Sequence, residues 1–472
     1  MPLSPDYITF ALPYRDASCG YFLAIRDLAW AILLDSGEQD QHRGRFDILS
    51  ANPSRRLISD QHGSRCELVA TSHSAASTIH YDSAWQALAA ELAPSCNAPV
   101  NADELPFRSG ALGYLGYDLG RQLESFHDHL TDHTALPQLL MGIYQWAIVQ
   151  DHLLKRTTLV CEATLGQDFA NSLWQTLADS MASYHSTSDN AFRIDQLTSN
   201  TQQAEYEAKV ARIQDYIAAG DCYQVNFAQR YSARYQGDLL EAYIALRKTL
   251  PSPFSCFFET DYGTVLSLSP ERFILSDGQQ LLTQPIKGTA PRGKTLLEDQ
   301  ELAEQLRHSR KDQAENVMIV DLLRNDLSKV CLPHTVKTPK LFDLESYTNV
   351  HHLVSSVTGT LKPAITPVEL LAACFPGGSI TGAPKIRAME VIEELENSRR
   401  SVYCGSMGYI DKSGKIDTNI AIRTIAANQH ELFVWGGGGI VADSVPQQEY
   451  QESLTKIGVI LETLQAVNSK RH

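Results

Sequence analysis

Two stretches in the second half of the chain alternate apolar and polar residues over strand-length runs that are separated by tight turns. In residues 263–286 the turn falls at Ser276-Asp277-Gly278, and in residues 405–439 turns fall at 412–415 and 428–430. Such short turns join antiparallel neighbours, because parallel strands need long crossover connections. We therefore expect hairpin strands in the first stretch and a three-strand antiparallel meander in the second.

Helical periodicity appears in three segments of the same half. The sequence QAEYEAKVARIQDYIAAGD predicts a helix that starts near Gln202 and ends at Gly220. A second helix is expected from about 298 to 328, and a third from about 447 to 467. Because helices and strands do not alternate as βαβ units, the sequence predicts an α+β fold of antiparallel sheet with helices packed outside.

The first half of the chain is also predicted to form β-strands. Residues from about 7 to 150 contain short apolar runs divided by turn signals, which is typical of strands with a few helices. Residues 183–203 are rich in Ser, Thr, Asn and Gln and predict a linker. We expect an N-terminal region at 1–185 and a second region at 200–468.

Composition excludes several classes of protein. The 472 residues are 43% apolar, enough for a large core, and the formal charge of −15 argues against a surface that binds nucleic acid. No run of 18 apolar residues predicts a membrane helix, and the first residues lack a secretory signal. Nine cysteines without a C-x-x-C pair indicate reduced thiols, as in a cytoplasmic protein.

Two acidic pairs stand on predicted helices. Asp312 and Glu315 are three residues apart, as are Glu449 and Glu452. Residues at i and i+3 project from one face of a helix, so each pair offers two carboxylates together. Oxygen ligands without nearby His or Cys suit Mg²⁺, although acidic pairs are also common on solvated helix faces.

Two glycine-rich segments could approach a ligand closely. FPGGSITGAPK precedes a predicted helix whose first-turn amides, together with Lys385, could receive an anion. WGGGGIVADS follows a predicted strand. Neither segment matches a nucleotide-binding fingerprint, and glycines that only permit tight turns are an equal alternative.

Several charged residues lie in or between predicted strands. Arg423 is expected to project from a central strand, NIAIRTIA, where it is costly to bury unless it meets a carboxylate. Glu271 in LSPERFIL could serve as a general acid. His352 could point into the same space. Lys287 in QPIKGT is either a lysine that extends its ammonium to water or a nucleophile that is kept neutral.

One cluster resembles a metal site but is interpreted as a solvated loop. The segment FHDHLTDHT contains His127, His129 and His133 with Asp128 and Asp132. It is polar and lacks fixed helical spacing, so we expect no metal there.

Eight ordered motifs identify a family resemblance. They are GDCYQVNFAQR, SPERF, PIKGT, AENVMIVDLLRNDL, HHLVSSV, FPGGSITGAPK, IRT, and GGGIVADS with EYQES. This order resembles the chorismate-utilising enzymes and covers about residues 204–464. The segments LLDSGEQDQHRGRFDI and GALGYLGYDLGR are similar to the N-terminal half of the anthranilate and aminodeoxychorismate synthases. The resemblance implies one fold of two facing antiparallel sheets, with helices outside and chorismate buried between the sheets.

The PIKGT motif indicates a branch of the family, because other members carry Ala at the position of Lys287. It is similar to the aminodeoxychorismate-forming branch, which makes 4-amino-4-deoxychorismate, the precursor of 4-aminobenzoate in folate synthesis. The resemblance implies that Lys287 attacks C2 of chorismate while Glu271 protonates the departing C4 hydroxyl. Ammonia would then attack C4 and expel the lysine.

The resemblance also implies a ligand set. Glu315 and Glu452 would hold Mg²⁺, with Asp312 and Glu449 nearby through water. Backbone amides near Gly438 and Gly439 would meet the ring carboxylate, while Tyr409 and Arg423 would hold the pyruvyl carboxylate. The remaining implied pocket residues are Thr289, His352, Thr381, Gly382, Lys385 and Lys456.

Partners and alternatives complete these expectations. None of the nine cysteines lies in a glutaminase context, so a separate glutamine amidotransferase subunit would supply ammonia. The segment around Ser36, with Phe46 and Asp47, resembles the region where relatives bind tryptophan. Two alternatives stay open, an anthranilate synthase component I and a catalytically silent tryptophan-binding regulatory protein.

Overall fold

The computed structural model describes residues 7–37, 44–70, 75–92, 105–124, 127, 129–179, 190–348 and 350–469. Within these residues the strands form two large sheets in which all neighbours are antiparallel. The α+β architecture and the two antiparallel sheets expected from the sequence are confirmed.

The first ten strands lie in the N-terminal region. They are β1 (Tyr7–Leu12), β2 (Ile32–Asp35), β3 (Phe46–Ser50), β4 (Arg55–Asp60), β5 (Gly63–Leu68), β6 (Ser77–Tyr81), β7 (Gly110–Leu115), β8 (Leu139–Tyr144), β9 (Trp146–Asp151) and β10 (Arg156–Glu162).

The remaining strands follow from residue 193 onward. They are β11 (Arg193–Ile194), β12 (Thr198–Ser199), β13 (Gln224–Gln236), β14 (Phe254–Thr260), β15 (Gly263–Ser269), β16 (Arg272–Ser276), β17 (Gln280–Gln284), β18 (Ile286–Pro291), β19 (Lys337–Ser346), β20 (Val350–Thr360), β21 (Gly382–Ala383), β22 (Ser406–Asp411), β23 (Ile416–Asn419), β24 (Thr424–Ala427) and β25 (Glu431–Ile440).

Helices are distributed along the whole chain. They are α1 (Cys19–Ile25), α2 (Ala84–Leu92), α3 (Gln167–Asp179), α4 (Gln203–Ala219), α5 (Leu239–Thr249), α6 (Leu296–Arg307), α7 (Arg310–Val330), α8 (Pro367–Cys374), α9 (Lys385–Leu395) and α10 (Pro446–Ser469).

Both regions of the chain contribute to both sheets. The first sheet runs β1-β10-β9-β3-β2-β14-β15-β24-β25-β13-β11, and the second runs β18-β20-β17-β16-β23-β22-β7-β8-β4-β5-β6. The N-terminal half of each sheet joins the C-terminal half at one strand pair, β2 with β14 and β7 with β22. The regions 1–185 and 200–468 are therefore halves of one sheet system.

The main core lies between the sheets. Its buried side chains come from the first sheet, such as Ile32 and Phe258, and from the second, such as Leu112 and Ile274. A second apolar cluster fills the space between the outer face of the first sheet and α1, α3, α5 and α10. This arrangement leaves the ends of the strands and the connections between the sheets to carry polar groups.

Local signals set the ends of several elements as expected. Helix α4 ends at Gly220, whose φ of 84° is the left-handed conformation that favours glycine after a helix. The turn between β16 and β17 includes Gly278, with φ of 93°. Between β24 and β25 the Asn428 side chain accepts hydrogen bonds from the backbone amides of His430 and Glu431.

The expected three-strand meander is wrong. Residues 405–439 form four strands, of which β22 and β23 belong to the second sheet and β24 and β25 to the first. Residues 420–423 cross between the sheets, and Arg423 has a positive φ of 50°. Apolar alternation continues through the crossing because both of its ends enter a buried sheet, so the pattern does not reveal the change of sheet.

The expected single helix at 298–328 is also wrong. It is divided into α6 and α7 by His308 and Ser309. The Ser309 side chain accepts a hydrogen bond from the amide of Asp312 and so begins a new helix. The C-terminal helix is confirmed as α10.

The predicted linker at 183–203 is only partly described. Residues 180–189 lie outside the described part of the chain. From residue 190 onward the segment contains β11 and β12, which pair with β13. The second half of the predicted linker is therefore bound to the first sheet.

Most of the described cysteines are buried thiols. Eight cysteines are described, all unpaired and seven of them buried, while Cys96 lies outside the described residues. Among the described residues, none of the helices has the length and apolar character needed to span a membrane.

Candidate active site

Lys287 lies in an irregular part of the second sheet. The pairing of β18 with β20 shifts register between Ile286 and Thr289, so Lys287 and Gly288 form a bulge. Gly288 has φ of 83°, and a Cβ atom there would lie 3.0 Å from Cγ of Asp312. The bulge thus brings the lysine close to helix α7. Its Nζ donates a hydrogen bond of 2.9 Å to the backbone oxygen of Ser379.

Glu271 occupies the connection between β15 and β16 and is 4% exposed. Burial raises the pKa of its carboxyl, while the charge of Lys287 and a hydrogen bond from Ser379 oppose the rise. Burial also lowers the pKa of Lys287, against the opposing charges of Glu271 and Glu315. Both directions favour the neutral forms, a protonated acid beside an unprotonated amine.

Carboxylates of α7 and α10 lie on either side of Lys311. Lys311 Nζ lies 3.7 Å from Oε1 of Glu449 and 4.0 Å from Oε1 of Glu315, so one ammonium links the two helices. Ser444 donates a hydrogen bond of 2.6 Å to Glu449. Burial raises the pKa of Glu315, and the carboxylate of Asp312 adds to this effect.

Lys456 joins α10 to the glycine-rich strand β25. Its Nζ lies 2.7 Å from Oε1 of Glu452 and donates to the backbone oxygen of Gly437. A Cβ atom on Gly438 would lie 3.3 Å from Oε2 of Glu449 and 3.5 Å from Nζ of Lys456. The absence of side chains therefore lets this strand approach the acidic helix.

The donor set fits a hard divalent cation that keeps water or substrate ligands. In the described part of the chain, no three His, Cys, Asp or Glu side chains are grouped closely enough to enclose a metal ion. The carboxylates of Glu315 and Glu452 instead lie beside Lys311 and Lys456, respectively. Burial would raise the pKa of Glu452, but Lys456 reverses this and lowers it. Two oxygen ligands of this kind suit Mg²⁺, which is usually held by one or two protein carboxylates.

Thr289 and His352 are brought together as cross-strand partners of β18 and β20. The Thr289 Oγ1 and His352 Nδ1 atoms are 2.8 Å apart. His352 is 1% exposed, and the Tyr347 ring meets it edge-on at 5.6 Å between centroids. The pair lies two residues along β18 from Lys287.

The loop 377–384 approaches the site through its backbone. Thr381 Oγ1 donates to the backbone oxygen of Gly377, and the amide of Asn226 donates to the oxygen of Thr381. Gly382 has φ of 142°, and a Cβ atom there would lie 2.1 Å from the backbone oxygen of Gln224. This glycine is required by the close pairing of β21 with β13.

Lys385 differs from its expected role as a free anion receptor. Its Nζ donates a hydrogen bond of 2.6 Å to Asp326 and a second to the backbone oxygen of Cys374. The buried carboxylate of Asp326 therefore neutralises this lysine in the structure.

Arg423 does not project from a central strand, as the sequence suggested, but lies in the crossing between β23 and β24. Among the described residues its guanidinium has no hydrogen-bond or ion-pair partner, and burial lowers its pKa. Its backbone oxygen accepts from the amide of Leu268, and the amide of the nearby Ile420 donates to the oxygen of Glu271. An unpaired and partly buried cation next to the Glu271 connection suits an anionic ligand.

Tyr409 lies away from the Lys287 cluster. It lines a cavity of about 310 Å³ together with Ser36 and Phe46. The charges that act on its hydroxyl are those of Asp417, Asp411 and Arg272. The structure therefore places Tyr409 at this cavity, on a strand distant from the bulge of Lys287. The expectation that Tyr409 shares a carboxylate with Arg423 stays a prediction.

Ser36, Phe46 and Asp47 are neighbours in space. Ser36 donates from both its amide and its hydroxyl to Oδ1 of Asp47, at 2.8 and 2.6 Å. The other oxygen of Asp47 lies 2.9 Å from Nε2 of the buried His152. Asp47 therefore stands behind the cavity wall, while Ser36 and Phe46 face the cavity.

The histidine-rich loop lies elsewhere. Its described histidines His127, His129 and His133 are exposed, and Asp128 lies outside the described residues. The backbone amide of His129 donates to the buried Glu393. This contact attaches the loop to helix α9.

The sequence analysis missed several groups at the site. Ser379 contributes a backbone oxygen, which no residue type reveals, and Lys311 has no motif of its own. Gln224 lies within the motif GDCYQVNFAQR; both polar atoms of its side chain are buried without a hydrogen-bond partner in the described part of the chain. A Cβ atom on Gly439 would lie 2.4 Å from Nε2 of Gln224. The motif could have indicated Gln224, because its neighbours in sequence were already singled out.

Comparisons with known proteins agree with this geometry. Residues 29–462 match the profile of a family described as chorismate binding enzyme. A protein of Salmonella typhimurium named aminodeoxychorismate synthase component 1 is 42% identical over 465 residues, 98% of this chain and 99% of its own. Its Escherichia coli namesake is 42% identical over 463 residues, again 98% and 99%.

A solved structure supports the fold independently. Anthranilate synthase component I from Streptococcus pneumoniae superposes with a TM-score of 0.77 at 30% identity, over 90% of this chain and 95% of its own. The family profile, the full-length relatives and the shared architecture lead to one conclusion. This chain belongs to the chorismate-binding enzyme family.

Proposed function

We propose that this chain converts chorismate and ammonia to 4-amino-4-deoxychorismate, the precursor of 4-aminobenzoate in folate synthesis. The reaction is an amino transfer of the transaminase class, in which the ammonia derives from glutamine. Two full-length relatives named aminodeoxychorismate synthase component 1 support the proposal. The structural observation that carries it is the amine of Lys287, which is held at a bulge beside the buried acid Glu271.

The positions of these two residues suit a reaction in two displacements. Lys287 Nζ forms a bond to C2 of chorismate, the ring double bonds shift, and the C4–O bond breaks. Glu271 gives its proton to the departing hydroxyl, which leaves as water, and takes up the proton that Lys287 loses. Ammonia then bonds to C4, the bond from C2 to Lys287 breaks, and the amine recovers a proton. The balance is chorismate plus ammonia to the 4-amino product plus water.

The pKa directions support these roles. Because burial raises the pKa of Glu271, its proton is retained at a higher pH than on an exposed carboxyl. Because burial lowers the pKa of Lys287, a larger fraction of its amine is neutral at a given pH. Burial therefore favours the reactive form of both groups, the neutral amine of Lys287 and the protonated carboxyl of Glu271.

The anionic groups of chorismate have counterparts around this pair. The unpaired guanidinium of Arg423 would receive the pyruvyl carboxylate, and the backbone amides of Gly438 and Gly439 would receive the ring carboxylate. Mg²⁺ held by Glu315 and Glu452 would draw electron density from the ring through that carboxylate. The remaining pocket residues in this proposal are Thr289, His352, Thr381, Gly382, Lys385 and Lys456, with Asp312 and Glu449 behind the metal ligands.

A separate glutamine amidotransferase subunit would supply the ammonia. A glutaminase of this type needs a thiolate nucleophile. Burial raises the pKa of thiols in this chain, for example those of Cys19 and Cys374 to about 12, so these thiols stay protonated and unreactive. The name component 1 of the relatives also indicates a further component. We place this assembly in the cytoplasm, which agrees with the unpaired thiols.

Tryptophan is the proposed ligand of the cavity at Ser36. The cavity combines an aromatic and aliphatic lining, including Phe46 and Met407, with ion pairs at its edge such as Arg272 with Asp417. Its volume of about 310 Å³ accommodates an aromatic amino acid. The cavity is separate from Lys287, so binding here leaves the chorismate site open.

Ammonia, but not glutamine, is expected to support synthesis by the isolated chain. With chorismate, Mg²⁺ and an ammonium salt, chromatography should show 4-amino-4-deoxychorismate and no anthranilate. Glutamine should give no product until an amidotransferase subunit is added. Anthranilate as the product would instead support an anthranilate synthase, and chorismate that stays intact in every mixture would support a silent regulatory protein.

Lys287 is expected to become attached to the substrate ring when ammonia is withheld. The intact mass should rise by that of chorismate less water, and digestion should place the addition on the peptide that contains Lys287. Lys287→Ala should abolish the adduct and slow formation of the 4-amino product. Lys287→Arg should not restore the adduct, because a guanidinium stays protonated. Lys248→Ala, at an exposed position on α5, is the matched control and should behave as the parent.

Glu315→Ala and Glu452→Ala are each expected to reduce Mg²⁺-dependent turnover to near background. Titration calorimetry should show weaker Mg²⁺ binding for both variants. Glu462→Ala removes an exposed carboxylate from the same helix as Glu452 and should leave turnover and Mg²⁺ binding unchanged. Full activity of the parent in excess chelator would contradict the metal assignment.

Tryptophan is expected to bind with one site per chain in titration calorimetry. Ser36→Phe should weaken this binding strongly because the larger side chain enters the cavity. Ser328→Phe, an equal change at an exposed position on α7, should leave it intact. Equal binding to the parent and to Ser36→Phe would place the ligand elsewhere.

A further inference from the structure

Arg400 is a fully buried arginine beyond the end of α9. It is 1% exposed, and Glu396, its ion-pair partner, is 5% exposed. Nη2 of Arg400 lies 2.6 Å from Oε1 of Glu396, and Nε donates to the same carboxylate. The remaining hydrogen bonds of the guanidinium go to backbone oxygens, 2.9 Å to Ile380 and 2.7 Å to Asn226.

These two backbone oxygens belong to two sides of the active site. Ile380 follows Ser379, whose backbone oxygen accepts the hydrogen bond from Lys287. Asn226 lies on β13 directly opposite Gly439 of the glycine-rich strand. The amide of Asn226 also donates to the oxygen of Thr381. One guanidinium thus holds the loop of Ser379 against the strand next to the glycines.

Glu396 extends the same connection. Its Oε1 accepts a hydrogen bond of 2.9 Å from the backbone amide of Ala228, two residues along β13 from Asn226. The ion pair therefore contacts β13 at two residues, Asn226 and Ala228, while Arg400 also binds the loop through Ile380.

The N-terminal region also contacts Arg400. The Tyr117 ring lies under the guanidinium, 4.8 Å from its central carbon. The side chain of the neighbouring Asp118 accepts from the backbone amide of Ser401. The orientation of Arg400 thus depends on residues from both halves of the chain.

A buried ion pair is a poor source of stability, because desolvation of both charges offsets their attraction. A guanidinium is instead suited to geometry, since its planar fork fixes several acceptors relative to one another. Here five hydrogen bonds, three to one carboxylate and two to carbonyl oxygens, define the distance between a loop and a strand. An apolar pair of equal volume would fill the space but could not set that distance.

We propose that Arg400 is a positioning residue, which holds the Ser379 oxygen and the strand opposite Gly439 in register so that Lys287 is aimed at the bound ring. The inference rests on the proposed function in taking Lys287 as the reacting amine. It adds a role for a residue that touches neither substrate nor metal, and through Tyr117 it gives the N-terminal region a contact with the residue that positions Lys287.

Arg400→Lys tests this role. A lysine keeps the positive charge beside Glu396, but a single ammonium cannot reproduce the planar fork to two backbone oxygens. We expect kcat for chorismate consumption to fall about 10- to 100-fold, the scale of loss for a small misplacement of reacting groups, with a smaller change in KM. Hydrogen exchange should accelerate in peptides that cover 377–383 and 225–228. Consumption is followed whatever the product, so a mistaken product assignment does not affect the result.

Arg26→Lys is the matched control. Arg26 forms a comparable ion pair with Asp238 and Glu259, away from the site. The Arg26→Lys variant should have a lower melting temperature than the parent but an unchanged kcat. If Arg400→Lys also lowers only the melting temperature and leaves kcat within twofold of the parent, the residue is merely structural and the proposal is wrong.

Two further measurements keep the proposal testable. Tyr117→Leu removes the ring beneath the guanidinium and should give a smaller fall in kcat of the same kind, even if Arg400→Lys does not fold. The rate at which cyanate modifies Lys287, measured by mass spectrometry relative to the exposed Lys248, needs no substrate and should rise in either variant as the Ser379 oxygen moves away. An unchanged relative rate would overturn the proposal, whether or not the chain forms the 4-amino product.

Discussion

The active site depends on two neighbouring chain segments that pass from one sheet to the other side by side. Residues 270–271 connect β15 to β16, and residues 420–423 connect β23 to β24. The partners stay together, since β15 pairs with β24 in the first sheet and β16 with β23 in the second. Between the sheets the amide of Ile420 donates to the oxygen of Glu271. The regular pairing of the two segments is interrupted between the sheets, and Glu271 and Arg423 lie in this unpaired stretch.

This crossing explains how charged groups come to lie inside an apolar molecule. Residues within a sheet alternate between the core and a helix layer, so a charge there would face apolar neighbours on either side. At the crossing and at the bulge of Lys287, side chains leave the sheet planes and meet one another. Lys287, Glu271 and Glu315 are then desolvated together. Their pKa values move toward the neutral forms because mutual attraction only partly offsets burial.

Helices α7 and α10 complete the site from outside the sheets. Each helix supplies a carboxylate pair at i and i+3 spacing. Lys311 lies beside Glu315 and Glu449, and Lys456 forms an ion pair with Glu452, so the ammonium groups offset the negative charges. The glycines of β25 allow this approach, because a side chain at Gly438 would meet both Glu449 and Lys456. Arg400, in turn, holds the loop of Ser379 against β13. Helices thus carry the charged side chains of the site, and hydrogen bonds to backbone oxygens, such as those of Ser379 and Ile380, fix the positions of Lys287 and Arg400.

Local structure was largely predictable from the sequence. Helix α4 ends at Gly220 and the hairpin turns lie at Gly278 and Asn428, because these residues act on their own neighbours through conformational preference and side-chain caps. The break between α6 and α7 was missed, since the Ser309 cap competes with a helical pattern that continues on both sides. The change of sheet at 420–423 was missed because an apolar pattern does not record which sheet a strand enters.

The sequence by itself determined the chemical inventory, namely Lys287, Glu271, Arg423 and the carboxylate pairs of α7 and α10, together with the family motifs that contain them. Only the tertiary structure decided which of these groups meet. It paired Lys385 with Asp326, moved Tyr409 to a separate cavity with Ser36, and brought Ser379 and Arg400 to the site. The reason is physical: spacing along a chain fixes contacts within a turn or hairpin, whereas contacts between distant segments depend on how two sheets and their crossings pack in three dimensions.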